Sequence, residues 1–269
     1  MAVLLIQPVL RAMYFSGLVT HLRSILLSQA LSVVFQPIFD LEQRQVLGYE
    51  TLMRGPADSP LHTPEQLLRV ARDAGLGIEL ERLAASLAID AFVEGQLPGR
   101  LFINFGEAMI IDLAGGDALD RLLGKAGMAP GRMVVECMGA AMHGERLNDA
   151  LARLAERACG LAFDAPGPNL RDGAFLKIAA SRIGRIHADP TRRQGLDALL
   201  VQSARQGGRS IAEGVEDARD LALLHQLGCQ CAQGFLLGRP SAEPARQLSR
   251  SVAGVLATTR SGLAQGAGG

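Results

Sequence analysis

The sequence predicts an α/β chain that closes into a TIM-like (β/α)8 barrel with an antiparallel first strand. Two observations carry that prediction. Eight short apolar runs recur along the chain, and from the third onward they alternate with longer stretches of helical periodicity. That order builds a parallel sheet and, at about eight strands, a closed barrel. The first two runs are separated only by the polar turn Glu42-Gln43-Arg44 and read as an antiparallel hairpin.

Residues 1–30 form an N-terminal amphipathic helical leader, with Leu18, Leu22 and Leu26 at helical spacing. Gln7, Pro8, Arg11, His21 and Arg23 interrupt its apolar character, so no run nears the ~20 residues of a membrane span. A basic start followed by a continuous apolar block, the mark of a signal peptide, is also missing. The expectation is a chain without a transmembrane segment, placed in the cytoplasm.

The barrel domain is expected over 31–250. Its strands are predicted at 32–41, 45–53, 101–105, 133–137, 160–164, 174–178, 209–214 and 231–236. Between them lie helical stretches, among them 64–75, 81–95, 195–208 and 218–228. The first has Thr63 as N-cap, Pro64 at its first position and Gln66 to complete a capping box. Residues 251–269 read as a helix end and a Gly/Ala-rich tail that should fray.

Composition excludes several roles. With 48% apolar and 20% charged residues the chain is not a disordered segment. The 27 basic and 27 acidic residues give no bulk attraction to a nucleic-acid polymer or an anionic membrane. Trp is absent and aromatics make up 4%, too few for single-strand stacking platforms. Cys137, Cys159, Cys229 and Cys231 lack the spacing of a disulfide framework or zinc site, and the five His are scattered.

In a barrel of this kind chemistry gathers where strand C-termini meet the following loops. The predicted strands end in Glu50, Asn104, Glu136, Asp164, Lys177, Glu213 and Gln233. Several acids converging on one face repel one another unless a cation neutralises them. All-oxygen donors suit Mg²⁺ or Mn²⁺ better than zinc. A hard cation beside a lysine suggests work on a phosphate ester.

These residues carry a resemblance. FQPIFDL followed by VLGYETLMRGP is similar to the opening of the EAL-domain family, bacterial phosphodiesterases of cyclic di-GMP, with Glu50-Thr51-Leu52 at the signature tripeptide. SIAEGVED and LLHQLGCQCAQGFLLGRP resemble the family's last two strand-loop segments, and LKIAASRIGRIHADP its lysine-bearing strand. The resemblance spans roughly residues 30–245. It implies metal-ligand roles for Glu50, Asn104, Glu136, Asp164 and Glu213, with Glu213 also the general base. Lys177 would steady the attacking water or a phosphate oxygen. Gln36, Arg54 and Gln233 would face the nucleotide, and Glu216 would be a supporting acid. The implied cofactor is Mg²⁺ or Mn²⁺, and the implied ligand is cyclic di-GMP.

Three departures bear on activity. The family's Asp-Asp-Phe-Gly segment reads Phe163-Asp164-Ala165-Pro166 here, so one acid is missing in either register. In one register Phe163 replaces the first Asp; slid by one, Asp164 is the first and Ala165 replaces the second. Gly139 stands where the family has a second Glu after Glu136. Only 13 residues separate Asp164 from Lys177, and PGPNLRDG replaces most of a helix, so one outer helix should be shortened or missing. A misplaced sixth strand, with Arg185 near the lysine position, is the alternative to that shortening. The reading preferred is a degenerate EAL domain that binds cyclic di-GMP, a protein partner in trans, or both, with weak or no hydrolysis and possible homodimerisation. The alternatives are an active phosphodiesterase and a nucleotide-free interaction module.

Overall fold

The computed structural model describes residues 2–137, 144–167, 170 and 172–263. Its centre is a closed eight-stranded barrel in sequential strand order. Strands β1 (Ser32–Asp40) and β2 (Gln45–Arg54) form the antiparallel hairpin, with Gln36 opposite Glu50. β3 (Arg100–Phe105), β4 (Met133–Cys137), β5 (Gly160–Phe163), β6 (Phe175–Ile178), β7 (Arg209–Ala212) and β8 (Cys231–Ala232) follow in parallel. β8 closes antiparallel onto β1 through Phe39↔Ala232 and Asp40↔Cys231.

The two-residue period of the strands sorts their side chains into two packing layers. Ile38, Phe102, Val134, Ala162, Phe175, Ile211 and Cys231 fill the barrel interior. Leu101, Ile103, Val135, Phe163, Leu176 and Ala212 face the surrounding helices. One step beyond the interior plug, the same inward phase reaches Asn104, Glu136, Lys177, Glu213 and Gln233. An apolar floor thus carries a polar layer at the mouth. Gly48 is required beneath it, because a Cβ there would stand 2.1 Å from the Arg100 carbonyl oxygen across the β2–β3 ladder.

The outer layer comprises α1 (Ala2–Ser28), α2 (Pro64–Asp73), α3 (Gly77–Glu94), α4 (Glu107–Leu113), α5 (Ala118–Gly124), α6 (Glu145–Glu156), α7 (Ala180–Ile183), α8 (Pro190–Arg205), α9 (Ala218–Gln226) and α10 (Arg250–Leu263). The Thr63 capping box forms: Thr63 Oγ1 accepts from the Gln66 amide, and the Thr63 amide donates to Gln66 Oε1. Helix α1 buries Leu18, Leu22 and Ile25 in a cluster with Leu67 and Val70, while Met13, Tyr14 and Leu27 remain exposed. Among the described residues no helix is long and apolar enough to cross a membrane. Of the tail expected to fray, residues 261–263 instead complete α10, and 264–269 lie outside the described residues.

Between β5 and β6 the described residues contain no helix. Buried Leu170 and the Gln206 Nε2 bond to the Gly167 carbonyl (3.3 Å) pin this shortened connection. Two strands are shorter by more than one residue than the apolar runs suggest. β7 stops at Ala212, although the Glu213 amide still donates to the Ile178 carbonyl (2.9 Å). β8 holds only Cys231 and Ala232, because the chain turns away at Gly234, where a Cβ would meet Val215 backbone at 2.2 Å.

All four cysteines are buried and none is in a disulfide. Burial pushes the Cys137 and Cys159 thiols up to about 11 and Cys231 up to about 12. A protonated, covered thiol is a poor nucleophile. Titration of the native protein with a chromogenic disulfide at pH 8 is expected to find none of the four reacting within minutes, and all four once guanidinium is added. A prompt native thiol would contradict this packing.

Candidate functional site

The inward phase of β2, β3, β4, β6, β7 and β8 brings six of the sequence-predicted residues together. At their centre is the ammonium of Lys177, 2.6 Å from Glu136, 2.8 Å from Glu213 and 3.0 Å from Glu50. Glu50 is held on both oxygens: Asn104 Nδ2 donates to Oε1 (2.8 Å) and Gln233 Nε2 to Oε2 (2.6 Å). Lys177, Glu50 and Glu136 are buried, and Glu213 is the partly open member.

Burial sets the electrostatics here. It pushes Glu136 up to about 8, reinforced by the neighbouring Glu50 charge and only partly opposed by Lys177. Burial also works against the charged form of Glu50, but Lys177, Gln233 and Asn104 outweigh it and hold this carboxyl below its usual range. For Lys177 burial is overcome by Glu136, Glu50 and Glu213, which keep the ammonium well above its usual value.

Three buried oxygens in the cluster have no hydrogen-bond donor: Asn104 Oδ1, Glu136 Oε1 and Gln233 Oε1. Unsatisfied buried acceptors are costly, and three on one barrel mouth form a donor set for a hard cation. Among the described residues no group of three or more His, Cys, Asp and Glu is arranged to hold a metal by itself. A cation would therefore draw on amide as well as carboxylate oxygens, and the residues fit one on those terms.

Other sequence-predicted residues lie outside the Lys177 network. Asp164 is exposed just past β5, and its charge contributes to the raised Cys137 thiol. Arg54, at the end of β2, donates Nη1 to the Met53 carbonyl (2.8 Å). Glu216 is exposed in the loop before α9, whose N-cap is Asp217. Gln36 lies opposite Glu50 and donates Nε2 to the Gly238 carbonyl (3.2 Å). Gly139 lies outside the described residues. Arg185 does not occupy the lysine position; its amide donates to Asp220 Oδ2 (2.9 Å) in a turn beyond β6.

Two features were not singled out from sequence. Asp220 also accepts from the His187 amide (3.0 Å) and Nδ1 (2.7 Å), which clamps the loop after β6 onto α9. The segment from Gln233 to Gly238 straps the mouth from β8 toward β1; on it Phe235 is exposed, with the Arg239 guanidinium 4.3 Å above its ring. An aromatic followed four residues later by Arg was the available signal.

Comparison with known proteins agrees with this fold. The bifunctional diguanylate cyclase/cyclic di-GMP phosphodiesterase MucR of Pseudomonas aeruginosa is 27% identical over 257 residues, covering 88% of this chain and 36% of the relative. The chain spans about a third of the length of the curated relatives it matches. The EAL domain of Xanthomonas citri FimX, in complex with cyclic di-GMP, superposes with a TM-score of 0.76 at 17% identity, over 89% of this chain and 98% of that one. A calcium/cyclic di-GMP complex of Klebsiella pneumoniae BlrP1 gives a TM-score of 0.70 at 22% identity, over 82% and 58%. These structural likenesses are of fold. The sequence itself matches the EAL domain over residues 20–240, which takes in every strand of the barrel and every residue of the Lys177 network, and the chain belongs to the EAL domain family.

Proposed function

We propose that this chain is a degenerate EAL domain of cyclic di-GMP signalling, one that binds the dinucleotide and hydrolyses it weakly or not at all. The observation that carries this reading is the phase of β5. Phe163 packs outward into the helix layer, so an acid at that position would not reach the mouth. The first acid of the pair is then Asp164, and Ala165 stands at the second. A closely spaced cation pair needs carboxylates between its members, and β5 offers one.

Glu50, Asn104, Glu136, Asp164 and Glu213 are the residues that would hold a cation, Mg²⁺ or Mn²⁺. Bound there, it would polarise a phosphoryl oxygen and lower the pKa of a water. Gln36, Arg54 and Gln233 would orient the nucleotide, Arg54 through a guanidinium fork suited to phosphate. Glu213, partly open beside Lys177, is the group to accept a proton from water, with Glu216 supporting it. The Phe235 ring offers a purine a stacking surface. Four buried thiols outside any disulfide support residence in the reducing cytoplasm. A protein partner in trans or a second copy of the chain would pass on the ligand state.

A second reading, an active phosphodiesterase, is favoured by the assembled Glu50, Asn104, Glu136, Lys177, Glu213 and Gln233 with their three unpaired oxygens. Titration calorimetry with cyclic di-GMP, with and without Mg²⁺, tests the shared part. Saturable heat in both conditions is expected. No heat at millimolar ligand would leave only the nucleotide-free interaction module.

A further inference from the structure

Lys177 has a position unlike that of an ordinary strand-end lysine. Its ammonium is buried and touches carboxylates from three strands or strand ends, Glu50, Glu136 and Glu213. No other cationic side chain pairs with these acids among the described residues. Removing one partner from a buried ion cluster leaves the others uncompensated. We propose that Lys177 is the resident cation of the barrel mouth: it balances the charge of the carboxylates when no metal is bound, competes with a divalent cation for them, and thereby sets the cation affinity of the site.

The geometry supports competition over cooperation. Each Lys177 contact uses a carboxylate oxygen: Glu136 Oε2, Glu213 Oε1 and Glu50 Oε2. The second oxygen of Glu50 is taken by Asn104. A divalent cation arriving at these acids therefore meets a fixed positive charge a few ångströms away, and that repulsion is strong where water is excluded. The consequence is a mouth that stays folded without metal and binds divalent cations weakly. This inference rests on the reading of Glu50, Glu136 and Glu213 as cation ligands.

The test is Mn²⁺ binding, followed by electron paramagnetic resonance of the free ion, together with melting curves with and without Mn²⁺. Wild-type protein, Lys177→Met and Lys177→Arg are compared in the absence of nucleotide. Lys177→Met is expected to melt at lower temperature than wild type, to bind Mn²⁺ about tenfold or more tightly, and to recover melting temperature as Mn²⁺ is added. Lys177→Arg, which keeps the charge, is expected to bind Mn²⁺ as weakly as wild type. Measurable binding in both wild type and Lys177→Met with equal affinity overturns the inference alone. A Lys177→Met chain that remains unfolded in millimolar Mn²⁺ also overturns it, since the cation then fails to replace the ammonium. Absence of Mn²⁺ binding in wild type and in folded Lys177→Met overturns both the inference and the ligand reading beneath it.

Discussion

Ala165→Asp is expected to raise Mn²⁺-dependent hydrolysis of cyclic di-GMP by about 100-fold, equivalent to ~2.7 kcal/mol of barrier. The substitution returns a second carboxylate to the loop that leaves β5 beside Asp164, at a half-buried position that is not in the core. Phe163→Asp, which supplies a second carboxylate on the other side of Asp164, two residues earlier, is expected to do the opposite. Phe163 is packed in the outer core layer, so the change removes a buried ring and buries a charge, at a cost of about 3–5 kcal/mol. That is a large share of the ~5–15 kcal/mol by which a domain is stable. Urea unfolding and chromatographic measurement of the linear dinucleotide check the pair. A folded Phe163→Asp protein with gained activity would show that position 163 reaches the mouth.

Glu136 gives the second large effect. Its carboxyl, about 8 in the folded chain, titrates near its ordinary value of 4.5 once unfolded. Between those values the folded state retains a proton that the unfolded state has lost. Stability from this group is therefore fully present below the unfolded value and is lost as pH rises toward 8. Glu136→Gln keeps the shape and an acceptor for Lys177 but does not titrate. In EDTA, the stability of Glu136→Gln relative to wild type is expected to grow from pH 5 to pH 8, by at most about 1.4 kcal/mol per pH unit, and then to level off. Thermal melts across that range check it. Parallel profiles would mean that Glu136 is ionised throughout and shielded fully by Lys177.

Much of the barrel was legible because its signals are local. The apolar runs of β1 to β6, the polar turn between β1 and β2 and the Thr63 capping box each lie within a few residues of chain. The lack of a helix among the described residues after β5 was legible as a short interval with Pro and Gly in it. β8 was overestimated because the apolar run continues to Leu236, whereas Gly234 and the Val215 backbone turn the chain after Ala232. The phase of β5 was not legible. A four-residue strand holds too few alternations to decide between Phe163 and Asp164, and only packing against the helices resolves it.

For the site, the strand-end residues could be named from sequence, but their relations could not. Glu50, Glu136 and Glu213 are far apart in the chain, so the lysine that joins them could only look like one polar residue among seven. The clamp of Asp220 on the Arg185 and His187 amides is hidden for the same reason: its partners lie over 30 residues away on another loop. Arg54, Asp164 and Glu216 show the reverse case, in which motif position alone does not place a side chain in the central network.

The most direct test is chromatographic detection of the linear dinucleotide after incubation of cyclic di-GMP with saturating Mn²⁺, comparing wild type with Glu213→Gln. Binding measured by calorimetry beforehand ensures that both proteins are loaded. A domain with one acid at the end of β5 predicts product formation by the wild type close to that of Glu213→Gln and of buffer with Mn²⁺ alone. Robust turnover by the wild type that Glu213→Gln abolishes would contradict it and identify the chain as an active phosphodiesterase.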